Sequence, residues 1–241
     1  MTLQCDTVTQ DSGCVLFDLD GTLIDTAPDF MAVLMAMAVQ HDAPEPLIST
    51  IYSTVSSGAR ALVEACFGLL PDQDGFAPLL DELLERYGEQ ITRSEANLYP
   101  GLDDVLRDLE AHRIPWGVVT NKPVRFSVPL MQALGLAQRC SVLICPDHVT
   151  HAKPDPEGLL LAAEKLGRAP EQSIYVGDHP RDITAGLLAG MHTVAAAYGY
   201  LPPEPAVDTW GAHHVIHHGG DLALNPVLRR LRSRERYEQF S

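Results

Sequence analysis

Residues 14–22 read Cys14-Val15-Leu16-Phe17-Asp18-Leu19-Asp20-Gly21-Thr22. An apolar run ends in a carboxylate, a second carboxylate follows two positions on, and a glycine then permits a tight turn. The pattern predicts a fully buried strand over 14–18 that delivers Asp18 to its carboxyl end. Further along, four similar runs follow: 116–120 (WGVVT), 141–145 (SVLIC), 173–177 (SIYVG) and 193–197 (TVAAA), and a short last strand is expected within HHVIHH at 213–218. Helical spacing occupies 102–112, 124–134, 156–166 and 181–189. Continuous apolar strands alternating with helices indicate an α/β fold, a parallel sheet flanked by helices on both faces.

One stretch breaks the alternation. From residue 27 to about 91 no strand is expected, and 29–40, 59–67 and 76–91 carry helical spacing instead. An all-helical block of roughly 65 residues inserted after the first strand reads as a lid. The expected division is a catalytic core over 1–25 and 96–241 and a helical cap over 26–95, with the chain re-entering the core near LYPG at 98–101.

The bulk properties narrow the function. The chain has 241 residues, 46% of them hydrophobic, and a formal net charge of −15. Such a surface repels nucleic acid and anionic lipid, so neither is expected as a partner. It also repels phosphate, so an anion site must be built locally. Five cysteines, Cys5, Cys14, Cys66, Cys140 and Cys145, form no CxxC, which argues against structural zinc and a disulfide framework. No apolar run is long enough for a bilayer and the first residues lack signal-peptide character, so the expected location is the cytoplasm. Oligomeric state, monomer or dimer, is left open.

Open parallel sheets place their chemistry beyond the carboxyl ends of the strands. Four such ends carry groups suited to phosphate. Asp18 is placed to attack phosphorus. Asp20 is placed to protonate the leaving oxygen and later deprotonate water. Thr120 and Asn121 are placed to donate to phosphoryl oxygens, and Lys153 to supply a positive charge. Asp178, after the fourth strand, completes an oxygen cluster suited to Mg²⁺, and Asp182, one turn on, is placed to hold a metal-bound water. Each motif alone is common in turns and loops. Their occurrence in order, each after its own strand, is what points to a site.

These motifs resemble those of the haloacid dehalogenase superfamily: DLDGT at 18–22, Thr120, Lys153 and Gly177-Asp178-x-x-x-Asp182. The resemblance runs from about residue 14 to 216. It implies a Rossmann-like core with a helical cap of the first type, a phosphoric monoester hydrolase with Asp18 as nucleophile and Asp20 as acid/base. It also implies Mg²⁺ held by the Asp18 and Asp178 carboxylates and the Asp20 main-chain carbonyl. DLDGTLIDTAPDF, LYPGL, VVTNKP, AKPDP and YVGD resemble the phosphoglycolate phosphatases. WGVVTNKPVRF at 116–126, LGL at 134–136, LICPDHV at 143–149 and SGARA at 57–61 are similar to phosphatases of N-acetylmuramic acid 6-phosphate, which act in cell-wall recycling. His179 departs from the family pattern and is placed to act on the outer surroundings of the metal.

Specificity must come from the cap, because the four motifs handle only phosphate. Ser57, Gly58 and Arg60 lie at a loop-to-helix junction suited to a carboxylate or phosphate. Lys122 and Arg125 are further cations beside the site or on the surface of the next helix. The expected substrate is a small phosphorylated metabolite. N-acetylmuramic acid 6-phosphate comes first; phosphoglycolate or another sugar phosphate is the alternative. Asp20 argues against a phospho-accepting signalling module, where the phosphoryl group must persist, and against a dehalogenase, where halide leaves unprotonated. A phosphomutase stays open, and an intact acid set disfavours a non-catalytic binding protein. His213, His214, His217 and His218 are expected to be surface histidines, and the basic tail 229–236 a solvated helix.

Overall fold

A computed structural model describes residues 12–238. Cys5 and the other residues before Ser12 lie outside the described residues, as do 239–241 and the side chains from Arg234 onward, so part of the basic tail is outside them too. The chain runs β1 (Val15–Phe17), β2 (Ile24–Asp25), α1 (Ala27–Gln40), α2 (Ile48–Thr54), α3 (Ala59–Phe67), α4 (Phe76–Gln90) and β3 (Asn97–Leu98). It continues through α5 (Leu102–Ala111), β4 (Trp116–Val119), α6 (Val124–Ala133), β5 (Val142–Ile144) and α7 (Glu157–Leu166). It closes with β6 (Ile174–Gly177), α8 (Pro180–Leu188), β7 (His192–Ala196), β8 (His214–Ile216) and α9 (Pro226–Glu238).

Six strands form one sheet in the order β5-β4-β1-β6-β7-β8, every pair parallel. Val15, Leu16 and Phe17 are fully buried because helices cover both faces of the central strand. Strand order reverses at β1, which opens a crevice beyond its carboxyl end. The last strand, within HHVIHH, pairs with β7. β7 starts at His192, one residue before the expected run.

Helices α1 to α4 follow β2 and precede β3. β2 and β3 pair antiparallel, Ile24 opposite Leu98 and Asp25 opposite Asn97, so the two crossings lie side by side. This ribbon was not expected; two residues per strand carry no periodicity. Nor was α2, seven residues long with Ile51 as its one buried side chain. Phe30, Val33, Leu34 and Met37 repeat at helical spacing on α1 and meet Leu79, Leu83 and Tyr87 of α4 in one apolar cluster continuous with β1. No helix among the described residues is long and apolar enough to cross a membrane.

Candidate active site

The carboxyl end of β1 places Asp18 in the crevice. Its main-chain N–H donates to the Val176 carbonyl at 2.9 Å, which fixes the strand end against β6. Asp18 Oδ1 accepts from Leu19 N at 2.7 Å and lies 2.8 Å from Lys153 Nζ. The turn that follows depends on Gly21, which has φ +81°, and a Cβ there would stand 2.1 Å from Asp178 Oδ2. Any side chain at that position would displace the carboxylate.

Asp178 follows β6 and is fully buried. Thr22 Oγ1 donates to its Oδ1 at 3.2 Å, while Tyr200 N at 2.8 Å and Ser56 Oγ at 3.1 Å donate to its Oδ2. Lys153 Nζ sits 2.7 Å from Asp182 Oδ1 and donates to Tyr175 Oη at 2.8 Å and the Val119 carbonyl at 3.0 Å. One ammonium thus joins the ends of β1, β4 and β6. Asp18, Asp178 and Asp182 bring one oxygen each within 4.8 Å of the others.

Their charges compete. Burial pushes the Asp18 carboxyl up, but Lys153 and Arg181 outweigh it and hold Asp18 below its ordinary range. Burial works against the Lys153 charge, yet Asp18 and Asp182 keep its proton affinity above the usual lysine value. Asp178 has no cation in contact among the described residues. Burial, then Asp18 and Asp182, push its carboxyl well above the ordinary range. A hard divalent cation among these oxygens would remove that penalty, and an all-oxygen donor set suits Mg²⁺. The residues present therefore fit the ion.

Asp20 lies at the cavity floor. Its Oδ1 accepts from Thr26 Oγ1 at 2.6 Å and from Lys122 Nζ at 2.9 Å. Lys122 is not on a helix surface. It is buried, with Nζ 4.5 Å from the Tyr87 ring centroid and 5.2 Å from that of Phe30. Those two rings stack at 4.0 Å between α1 and α4. Thr120 Oγ1 accepts from Lys122 N at 3.1 Å, leaving its hydroxyl proton for a ligand. The Asn121 side chain reaches the Lys153 loop. It accepts from Lys153 N at 3.1 Å and donates to Lys153 O at 3.0 Å. The amide positions the Lys153 loop and uses one of its two Nδ2–H donors to do so.

Above this floor lies a cavity of about 430 Å³ lined by core and helical insert together. Asp18, Asp20, Thr120, Asn121, Lys122 and Arg125 line it from the core, and Ser56, Ser57, Gly58 and Arg60 from the insert. Gly58 takes φ +89° immediately before α3, which turns Arg60 into the first turn of that helix. Arg60 and Arg125 are exposed at the rim, over the rings of Phe76 and Phe126. Asp178 and Asp182 lie beneath the lining. Sequence reasoning missed Arg181, which lines the same cavity and donates to the Ser56 carbonyl. It also missed Ser56 as a partner of Asp178.

His179 caps α8 and contacts one member of the acidic cluster. Its Nδ1 accepts from Arg181 N at 3.2 Å, and its main-chain N–H donates to Asp182 Oδ2 at 3.1 Å, capping the helix. Burial, then Arg181, lower its pKa to about 4. His213, His217 and His218 are exposed, and the acidic trio is the one metal-type cluster among the described residues.

Residues 15–196 match the family model of haloacid dehalogenase-like hydrolases. The chain is 48% identical over 214 residues to an N-acetylmuramic acid 6-phosphate phosphatase of Pseudomonas putida, covering 89% of this chain and 95% of that protein. It is 42% identical over 202 residues to a phosphoglycolate phosphatase of Xanthomonas campestris, covering 84% and 90%. Among solved structures, one described as a predicted phosphoglycolate phosphatase from Haemophilus somnus superposes with a TM-score of 0.78 at 25% identity, covering 90% and 98%. A parallel α/β sheet with these motifs at its strand ends defines the class: the chain belongs to the haloacid dehalogenase-like hydrolase family. Within it the chain is a phosphatase, the activity for which its relatives are named.

Proposed function

We propose that this phosphatase hydrolyses N-acetylmuramic acid 6-phosphate through an aspartyl-phosphate. The observation that carries the mechanism is the Asp18–Lys153 contact, whose carboxylate lines a cavity together with Asp20. Asp18 Oδ1 is engaged by Leu19 N and Lys153, so Oδ2 is the attacking atom. It forms a bond to phosphorus as the bond to the sugar oxygen breaks, and Asp20 gives that oxygen its proton. Asp20 then takes a proton from the water that attacks the same phosphorus. Inorganic phosphate leaves and the Asp18 carboxylate is restored. Thr120, the main chain of Asn121 and Lys153 bind phosphoryl oxygens. Asp18, Asp178 and the Asp20 main-chain carbonyl would hold Mg²⁺, with Asp182 in support, and the ion would supply positive charge against the phosphoryl oxygens.

The substrate follows from three supports. One is the 48% identity to a protein named for it. The second is a cavity of about 430 Å³, in the ordinary range for a small-molecule site and larger than a two-carbon phosphoglycolate needs. The third is the set of rim groups, Ser57, Gly58, Arg60 and Arg125, suited to the lactyl carboxylate. In this reading residues 26–95 are the cap that closes over the sugar, and 1–25 with 96–241 the catalytic core. The location is the cytoplasm, in keeping with four described cysteines that are all free thiols.

The test is a phosphatase panel with Mg²⁺, containing N-acetylmuramic acid 6-phosphate, phosphoglycolate and glucose 6-phosphate. The first should have the highest kcat/KM. EDTA should abolish activity, Mg²⁺ should restore it, and Ca²⁺, with its longer bonds and higher coordination, should not. A preference for phosphoglycolate over every sugar phosphate replaces the substrate. Full activity in metal-free enzyme removes the ion from the mechanism.

A further inference from the structure

Arg181 stands in Gly177-Asp178-His179-Pro180-Arg181-Asp182, in the first turn of α8. A cation there faces the positive end of the helix dipole, an unfavourable placement unless an anion offsets it. No carboxylate does so within ion-pair distance among the described residues. Arg86, Arg107, Arg139 and Arg232 each sit on one: Glu82, Asp103, Asp103 with Glu110, and Asp108. Of the Arg181 donors, one Nη donates to the Ser56 carbonyl and Nε is buried without a partner. A guanidinium has five N–H donors, and a buried unpartnered one is costly.

The surroundings say where the missing acceptor belongs. Arg181 lines the cavity together with Asp18. The next residue, Asp182, shares Lys153 with Asp18, at 2.7 and 2.8 Å. The guanidinium therefore shares the cavity with the carboxylate that a phosphoryl group would meet, and its charge acts on Asp18. Its other contact, Ser56, belongs to the insert and donates to Asp178 at 3.1 Å. One segment is thus tied to the core at two points, both beside the reacting centre.

We propose that Arg181 is a further catalytic residue, donating to a non-bridging oxygen of the phosphoryl group while its bond to the Ser56 carbonyl makes that contact depend on cap closure. The inference rests on the phosphatase reading. It adds a cation that acts on every substrate alike, unlike the rim arginines, which would read the remainder of the molecule. A donor aimed at charge developing in transfer contributes chiefly to kcat.

The test uses the full chain with Mg²⁺ and two variants, Arg181→Gln and Arg181→Lys. Substrates are N-acetylmuramic acid 6-phosphate, N-acetylglucosamine 6-phosphate and p-nitrophenyl phosphate, and inorganic phosphate serves as inhibitor. Arg181→Gln should lower kcat about a hundredfold on all three, the scale of one lost transition-state donor. It should weaken inhibition by phosphate about tenfold. Arg181→Lys keeps the charge without the planar fork, and should lose about tenfold in kcat. A kcat within threefold of wild type in Arg181→Gln overturns the inference. So does a rise in KM confined to the two sugars with phosphate inhibition unchanged, which would make Arg181 a strut for the cap. Should Arg181→Gln not fold, Arg181→Lys decides: wild-type kcat and wild-type phosphate inhibition together overturn it. A wild-type enzyme that hydrolyses none of the three esters sinks the phosphatase reading instead, before any variant is compared.

Discussion

Lys122 Nζ lies 2.9 Å from Asp20 Oδ1, and the contact is roofed by the stacked rings of Phe30 and Tyr87. The pair joins core to insert: lysine and aspartate belong to strand ends, the rings to α1 and α4. Burial works against the lysine charge, but Asp20 and Tyr87 raise its proton affinity above the ordinary value. Asp20 is thereby held in one orientation, with Thr26 on the same oxygen.

Lys122→Met should therefore loosen the cap. Methionine keeps the apolar stem beneath the rings and removes the charge. The loss should be about 2 kcal/mol in unfolding free energy, below the full cost of breaking a buried pair because Asp20 is partly solvated. Urea titration measures it. A midpoint equal to wild type would show that the rings alone hold the insert.

Asp18→Asn should stop turnover while leaving the fold intact. The amide is nearly isosteric but a poor nucleophile. A loss of about a thousandfold or more in kcat is expected. Activity within tenfold of wild type would rule out covalent attack by Asp18.

Asp20→Asn separates the acid role from general damage. A sugar alkoxide must be protonated to leave; nitrophenolate largely need not be. The variant should lose more on a sugar 6-phosphate than on p-nitrophenyl phosphate, followed in single turnover as aspartyl-phosphate forms. Equal losses on both esters would assign Asp20 another task.

Asp18 and Asp178 were legible in the sequence because each directly follows a strand whose apolar run is itself local, and Lys153 because it stands in the loop after another such run. So was the helical insert, through the spacing on α1, α3 and α4. What escaped was pairing across the fold. Asp20 meets Lys122 102 residues away, and Ser56 meets Arg181 125 residues away. No local pattern encodes such contacts. Asn121 makes a further contact of this kind, 32 residues away. Its position beside Thr120 suggested phosphate, and the β4 end also brings it to the Lys153 main chain.

His192 predicts an acid-side loss of stability far from the site. It begins β7, its ring lies 4.5 Å from that of His213 and 5.0 Å from that of His214, and its Nε2 is buried without a partner. Burial, then His213, His214 and Arg230, lower its pKa from 6.5 to about 4. Between those values the unfolded chain binds the proton and the folded chain does not. The contribution is thus present above pH 6.5 and lost as pH falls toward 4. His192→Gln cannot titrate, so its Tm should fall less steeply over this window than that of wild type, measured by calorimetry. Parallel curves would remove His192 as the cause.

In the proposed function Arg60 is the residue that reads the sugar. It lies in the first turn of α3, exposed at the cavity rim, with its guanidinium carbon 5.6 Å from the Phe76 ring centroid. The ring orients the guanidinium without neutralising it, and no carboxylate pairs with it among the described residues. The lactyl carboxylate of N-acetylmuramic acid 6-phosphate would supply the partner. A charge-assisted hydrogen bond formed when the cap closes can raise kcat as well as affinity. Arg60→Ala should lower kcat/KM on this substrate by roughly ten- to a hundredfold. It should leave N-acetylglucosamine 6-phosphate, which has no lactyl group, nearly unchanged. That contrast separates Arg60 from Arg181, whose loss should strike both sugars alike. An equal drop on both sugars in Arg60→Ala would show that Arg60 shapes the cap and does not read the carboxylate.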